Sequence, residues 1–215
     1  MPSRFGFWAA IAAFLASVGY DIPQLLQLAG VLVDPWDRIL IFAPSLVLAP
    51  AFVLTMVAVH SAAPVVRQIW TLAALALAIM YAVLACIVYV TQLGVVIPHD
   101  LRGDGGRYAL LACCGHGQFL TGVDLLGYTL MSASTLLAAP AFTGSTKLRA
   151  VRLWFVANGL LLPVLILQLV WPVLIYVGAL WMITFPVSMI VLARVFHQSE
   201  EPECRPDKAA SSQSA

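Results

Sequence analysis

The feature that most constrains this chain is a series of long apolar segments. A helix rises about 1.5 Å per residue and needs about 20 apolar residues to cross the roughly 30 Å hydrocarbon core of a bilayer. Charged residues make up only 10% of the chain, against about 25% in a typical soluble domain. The sequence therefore predicts an all-α, polytopic transmembrane bundle of six helices. The predicted spans cover residues 5–33, 39–59, 70–97, 118–142, 151–171 and 172–196.

The charged residues predict how the bundle lies in its membrane. Residues 1–197 form the predicted transmembrane domain, and residues 198–215, rich in Glu, Ser and Pro, are predicted to be a disordered cytoplasmic tail. Eight Lys and Arg residues fall on the side of the two termini and three on the opposite side. The positive-inside rule therefore places both termini in the cytoplasm. The net charge of +1 leaves no basic surface of the kind that nucleic acid requires.

One carboxylate lies inside the fourth apolar segment. Helical spacing puts Asp124, Tyr128, Met131 and Thr135 along one stripe of that helix. An ionisable group at membrane depth costs about 2.5 to 3.5 kcal/mol on insertion scales and normally faces the interior of a bundle. The stripe is therefore predicted to face protein or water rather than lipid. The alternative is a purely structural Asp124 that is hydrogen-bonded to a neighbouring helix.

Further polar side chains are predicted to lie in the outer half of the membrane. Asp21 stands near Pro23, which removes a backbone donor and predicts a kink. Buried amides and carboxylates need hydrogen-bond partners or water, so such a cluster predicts a cavity that opens outward or sideways. The alternative is a structural network between helices, with bonds worth about 0.6 kcal/mol each. The predicted ligand-binding set is Asp21, Gln24, Gln27, Tyr89, Gln92, Gln118, Asp124, Tyr128, Gln168 and Tyr176.

Three glutamines stand at matching places in the spans that run outward. Gln27, Gln92 and Gln168 each precede a leucine and, a few residues later, a proline. Two of the returning spans carry near-identical strings at residues 48–52 and 138–142. Such a pattern is typical of tandem helical hairpins, here three, related by rotation about the membrane normal, and the glutamines would then form a ring. Chance within an apolar composition is the alternative.

The cysteines and histidines match no known metal or redox motif. Cys86 falls within a span, Cys113 and Cys114 are adjacent in the longest loop, and Cys204 lies in the tail. No C-x-x-C pair exists, so we expect free thiols. The other metal-ligand types of the longest loop lack helical i, i+4 spacing, so neither a metal nor a cofactor is predicted; they are His99, Asp100 and His116.

These residues leave three classes of function open. The first is the binding or translocation of a small, amphipathic molecule in the outward-facing cavity, with Asp124 and Asp21 as protonatable groups. The second is an intramembrane enzyme that uses Asp124 or Asp21 as a catalytic acid on a lipid or isoprenoid, beside tyrosines that stabilise a cation. The third is a non-catalytic assembly partner. Membrane lipids are the expected surroundings, and six spans are few for a secondary transporter unless the chain forms a homo-oligomer.

Three segments carry a likeness to a known group of proteins. Residues 89–98, 124–132 and 158–163 resemble stretches of uncharacterised bacterial six-span integral membrane proteins. The resemblance covers most of the membrane domain and implies a bacterial cytoplasmic (inner) membrane. It implies no activity, so no functional residue is taken from it.

Overall fold

The computed structural model describes residues 2–115 and 117–198 of the chain. Within these ranges the protein is helical and has no strand, and six helical segments are long and apolar enough to cross a membrane. The predicted all-α, multi-pass membrane bundle is therefore confirmed. The predicted tail beyond Gln198, with Cys204, and the loop residue His116 lie outside the described residues. The six segments are Ser3–Leu28, Trp36–Ala62, Val65–Leu101, Phe119–Ala141, Thr146–Leu167 and Pro172–Gln198.

The helices are numbered in chain order. They are α1 (Pro2–Leu28), α2 (Trp36–Ala62), α3 (Gln68–Thr91), α4 (Ile97–Leu101), α5 (Phe119–Ala138), α6 (Thr146–Gly159), α7 (Leu162–Leu167), α8 (Ile175–Gly178) and α9 (Trp181–Gln198). A π-helical segment, Gln92–Val96, joins α3 to α4 without a break. Short 3-10 turns cover Val65–Arg67, Gly105–Leu111, Ala139–Ala141 and Pro172–Leu174.

Prolines affect the spans in two ways. Helix α1 continues through Pro23, and α2 continues through Pro44 and Pro50. The fifth span instead divides into α6 and α7, and Pro163 lies in the first turn of α7. A proline is tolerated there because the first backbone N–H groups of a helix have no intrahelical partner. The sixth span is also divided, between α8 and α9.

The spans pack as a closed ring in chain order. Helix α1 packs against α2, α2 against α3, α3 against α5, and α5 against both α6 and α7. Helix α9 packs against α6 and closes the ring against α1. Each predicted hairpin therefore lies beside the next one. The outer surface of the ring is apolar, with exposed side chains such as Leu15, Val83 and Ile183, as lipid contact requires.

Aromatic side chains fill the centre of the ring. Phe52 of α2 meets Phe185 of α9 edge to face at 5.5 Å between ring centroids, and Trp181 stacks on Phe185 at 5.1 Å. Tyr128 of α5 reaches Trp181 at 4.9 Å, which connects two spans that are not neighbours in the chain. Aromatic pairs at these distances add about 0.5 to 1.5 kcal/mol beyond the burial of their area. Tyr81 of α3 contacts both Phe52 and Tyr128.

Small and polar residues hold neighbouring helices close together. Ala74 and Ala78 of α3 are fully buried, and the Ser134 hydroxyl of α5 donates to the Ala74 carbonyl at 2.7 Å. Small residues allow such close backbone approach in membrane bundles. Asn158 of α6 donates to the Thr135 hydroxyl and accepts from the Thr184 hydroxyl, each at 3.0 Å. One buried amide therefore joins α5, α6 and α9.

An ionic cluster ties two connections together at one end of the bundle. Arg38, at the start of α2, pairs with Asp34 and with Asp100 of α4, the latter at 2.6 Å. The connection after α1 and the connection after α4 therefore share one end, as six antiparallel spans require. We call this the loop end, and the opposite end, where α1 begins and α9 ends, the terminal end.

Candidate functional site

Asp124 lies in α5, one helical turn nearer to the loop end than the buried Tyr128. Below it, Tyr128 is 9% exposed, and Met131 and Thr135 are fully buried. The stripe read from the sequence therefore faces the protein. The Asp124 Oδ1 atom is buried and has no hydrogen-bond partner among the described residues. A buried oxygen without a partner is costly, so this atom is available for a ligand.

Tyrosine hydroxyls surround this carboxylate. The Tyr89 hydroxyl of α3 lies at the Asp124 carboxylate, and it is 2.8 Å from the Tyr128 hydroxyl. Tyr20 of α1 is close enough to interact electrostatically with Asp124. The Tyr81 hydroxyl is buried and unpaired within the described residues. Side chains from α1, α3 and α5 therefore converge on one point near the loop end.

The two adjacent cysteines of the long loop complete the site. The loop folds back over the end of the bundle, so that the Sγ atoms of Cys113 and Cys114 and a carboxylate oxygen of Asp124 all lie within 4.8 Å of one another. Among the described residues, these three have ligand atoms near enough to share one ion. The thiols are not in a disulfide. We call Asp124, Cys113, Cys114, Tyr20 and Tyr89 the loop-end cluster.

Three polar side chains hold the cysteines in place. The Gln92 amide donates to the Leu111 carbonyl at 2.8 Å, and its oxygen accepts from the Cys113 N–H at 3.1 Å. The Thr121 hydroxyl accepts from the Cys114 N–H and donates to the Gly115 carbonyl, both at 2.8 Å.

The third of these side chains is Gln118, whose oxygen accepts from the Gly115 N–H at 2.8 Å. The three side chains leave residues 113–115 little freedom. Gln92 is only 2% exposed and begins the π-helical segment, a feature that is frequent at functional sites.

The backbone of Cys114 is strained. Its φ is +79°, in the left-handed region that residues with a Cβ rarely adopt. Such a conformation costs about 1 to 3 kcal/mol and persists only where the surroundings enforce it, which happens most often at functional sites. The Thr121 hydroxyl supplies that enforcement. A hydrogen bond between the Cys113 and Cys114 thiols raises the pKa of Cys114, as do the burial of that thiol and the negative charge of Asp124.

Asp21 is the second acid at this end. It is 8% exposed, and its Oδ1 atom is buried without a hydrogen-bond partner among the described residues. It acts electrostatically on Tyr20, which also interacts with Asp124, so Tyr20 is near both acids.

Six of the ten predicted site residues belong to this region: Asp21, Tyr89, Gln92, Gln118, Asp124 and Tyr128. Other predicted residues lie elsewhere. Gln24 donates to Gln27 at 3.0 Å, and Gln27 donates to Asp37 at 2.8 Å, so these amides are used in a local network. Gln168 lies against Gly178, and Tyr176 is 80% exposed.

The three repeated glutamines contact different partners. No hydrogen bond joins Gln27, Gln92 and Gln168 to one another within the described ranges. The threefold hairpin repeat remains a prediction, but the ring of glutamines does not form.

The metal-ligand types near the start of the loop are paired with protein groups. His99 contacts the Asp104 carboxylate at 2.9 Å, and Asp100 pairs with Arg38. The His99 hydrogen bond lowers the pKa of Asp104, whose side chain is 47% exposed.

A cavity of about 420 Å³ lies at the terminal end of the bundle, away from Asp124. Its lining is largely apolar and includes Val59, Phe142, Leu148, Leu192 and Phe196. It contains none of the predicted site residues.

The sequence reasoning missed Cys113, Cys114 and Thr121 as parts of the site. A signal was present: the Cys-Cys pair precedes Asp124 by about ten residues, across Gly115 and Gly117, which allow the chain to turn back. Gly117 has φ +78°, a conformation that favours glycine.

The chain was also compared with known proteins. No family model, curated protein or solved structure matches it.

Proposed function

We propose that this membrane protein binds a small molecule or ion at the loop-end cluster, with Asp124 as the anchoring group. The observation that carries the proposal is the buried, unpaired Oδ1 of Asp124 beneath a loop that three side chains fix in position. A carboxylate that served only to join helices would have a protein donor on each buried oxygen, because an unpaired one is costly in lipid.

The direction of access follows from the charges and the exposure of the loop. The positive-inside rule supports cytoplasmic termini, so the loop end faces outward. Cys114 is exposed, whereas Asp124 is partly buried behind it, so a ligand would enter from the outer aqueous side. The resemblance to bacterial six-span proteins supports an inner-membrane location. If the protein also moves its ligand, it would translocate a small amphipathic molecule that first binds at this cluster.

Acid–base chemistry on a membrane substrate is the second candidate. The contact between the Tyr128 and Tyr89 hydroxyls continues to the Asp124 carboxylate, which gives a short path for a proton. An assembly partner without a ligand is the least favoured function, because it leaves the unpaired oxygen unexplained.

The test compares the isosteric variant Asp124→Asn with Asp34→Asn, an exposed acid at the same end. Both proteins and wild type are purified from the same membranes, and the molecules that copurify are extracted and identified by mass spectrometry. We expect Asp124→Asn to fold with an unchanged melting temperature and to lose a species that wild type and Asp34→Asn retain. If wild type retains no species over Asp124→Asn, or if Asp124→Asn fails to fold, the proposal is wrong.

A further inference from the structure

The geometry points to a thiophilic divalent cation, of which Zn²⁺ is the natural example, held by Cys113, Cys114 and Asp124. This inference rests on the proposed function, because it names a ligand class for the same cluster. The sequence predicted no metal, since it has no C-x-x-C pair and the histidines of the longest loop lack helical i, i+4 spacing. The fold brings the three together.

The separations suit one ion. Zn²⁺ binds sulfur at about 2.3 Å and carboxylate oxygen at about 2.0 to 2.2 Å, so tetrahedral ligand atoms stand roughly 3.6 to 3.8 Å apart. The three ligand atoms here already lie within 4.8 Å of one another. Side-chain rotations that move them about 1 Å closer are enough to complete the site. Three protein ligands leave a fourth position open, as in catalytic or exchanging zinc sites.

The donor set selects the class of cation. Two sulfurs and one carboxylate oxygen suit a borderline ion such as Zn²⁺ or Cd²⁺. Mg²⁺ and Ca²⁺ prefer six or more oxygen ligands, which this cluster does not offer. The Asp124 carboxylate, whose buried Oδ1 lacks a hydrogen-bond partner among the described residues, would gain a cation as its partner.

Hydrogen bonds from neighbouring residues hold the three candidate ligands in position. Thr121 and Gln92 fix the backbone at the two cysteines, Cys114 has a strained φ, and its Sγ atom lies within 4.8 Å of that of Cys113. The Tyr89 hydroxyl lies at the Asp124 carboxylate and orients it. Outer partners of this kind typically contribute 10- to 100-fold to metal affinity. Binding converts two thiols to thiolates, and the two protons pass to water through the exposed side of Cys114.

The experiment titrates the purified full-length protein, in detergent and under reducing conditions, with Cd²⁺ alone. Cadmium thiolates have an ultraviolet charge-transfer band that Zn²⁺ removes by competition. We expect one Cd²⁺ per chain, two protons released per ion, and displacement by Zn²⁺. Cys113→Ser and Cys114→Ser should abolish the band, and Asp124→Asn should weaken affinity at least about tenfold. Cys86→Ser, in α3 away from the cluster, and Cys204→Ser are the controls and should bind as wild type does.

Several results would overturn the inference. One is a band that persists in both cysteine variants; another is a band that the Cys204→Ser control removes. Another is isolation of the chain with Cys113 and Cys114 joined in a disulfide even under reduction, because the pair would then offer no thiolates to an ion. The two proposals fail separately: if the cysteine variants still retain the species that Asp124→Asn loses, the metal inference fails and the proposed function stands.

Discussion

Among the glycines of the membrane-spanning helices that the structure describes, Gly159 leaves the least room for a side chain, which makes a quantitative prediction. A Cβ placed on Gly159 would lie 2.5 Å from the Leu136 Cβ and 3.0 Å from the Leu136 Cα of α5. Ordinary contacts begin near 3.4 Å, so the two Cβ atoms need about 0.9 Å more room than exists. The Leu136 Cα is a backbone atom and the Leu136 Cβ is bonded to it, so no side-chain rotation can make room and the helices themselves must separate.

We expect Gly159→Ala to lower the free energy of unfolding by about 2 kcal/mol, within the 1 to 3 kcal/mol typical of overpacked cores. For a chain of this size, 1 kcal/mol shifts the melting temperature by roughly 2 to 4 °C, so the expected loss is about 4 to 8 °C. The assay is thermal unfolding in detergent, followed by the loss of the monodisperse peak in size-exclusion chromatography.

The matched control is Gly122→Ala in α5. Its added Cβ would meet only the Leu169 Cδ2, at an ordinary 3.7 Å, and alanine favours a helix over glycine by up to about 1 kcal/mol. This variant should therefore melt at or above the wild-type temperature. In a Leu136→Gly background, Gly159→Ala should cost less than it does alone. The packing argument fails if Gly159→Ala melts with wild type, or if both alanine variants lose the same stability.

Two further predictions concern polar contacts. Asn158→Leu removes the hydrogen bonds to Thr135 and Thr184 and should lower the unfolding free energy by about 1 kcal/mol, at roughly 0.6 kcal/mol per bond. Thr184→Val removes only one of these bonds and should cost about half as much in the same melting assay. Equal losses in the two variants would contradict this. Because the His99 contact lowers the pKa of Asp104 in the folded state, that contact stabilises the fold above the ordinary aspartate pKa of about 3.9 and is lost as pH falls below it. By carboxyl NMR, His99→Gln should raise the Asp104 titration midpoint toward the ordinary value, and an unchanged midpoint would contradict the assignment.

The sequence was sufficient to predict the membrane class, the number of spans and the inward stripe below Asp124. Span length and low charge are local properties of the chain, and an acid inside an apolar helix has few places to point. The breaks in the fifth and sixth spans were not predicted. A proline alone does not show whether a helix will break, because α2 continues through Pro44, whereas the fifth span is interrupted just before Pro163.

The site itself could be predicted only in part. That Tyr89, Gln92 and Asp124 lie in one region could be predicted from their depth, since neighbouring spans bring residues of equal depth together. The position of Cys113 and Cys114 depends on how a loop folds back, and a loop has no periodicity from which to read its path. Gln27 and Gln168 were predicted to lie with Gln92 because all three have similar depth, but Gln27 donates to Asp37 and Gln168 lies against Gly178. Equal depth does not ensure that side chains meet across the ring.

The aromatic centre of the ring limits what the protein can do in this conformation. Trp181, Phe185, Phe52 and Tyr81 occupy the axis between the loop-end cluster and the cavity at the terminal end. These rings contact one another, so passage of a solute through the centre of the ring would require them to separate. Trp181 and Phe185 both belong to α9, so a movement of that one helix would separate them from Tyr128 and Phe52.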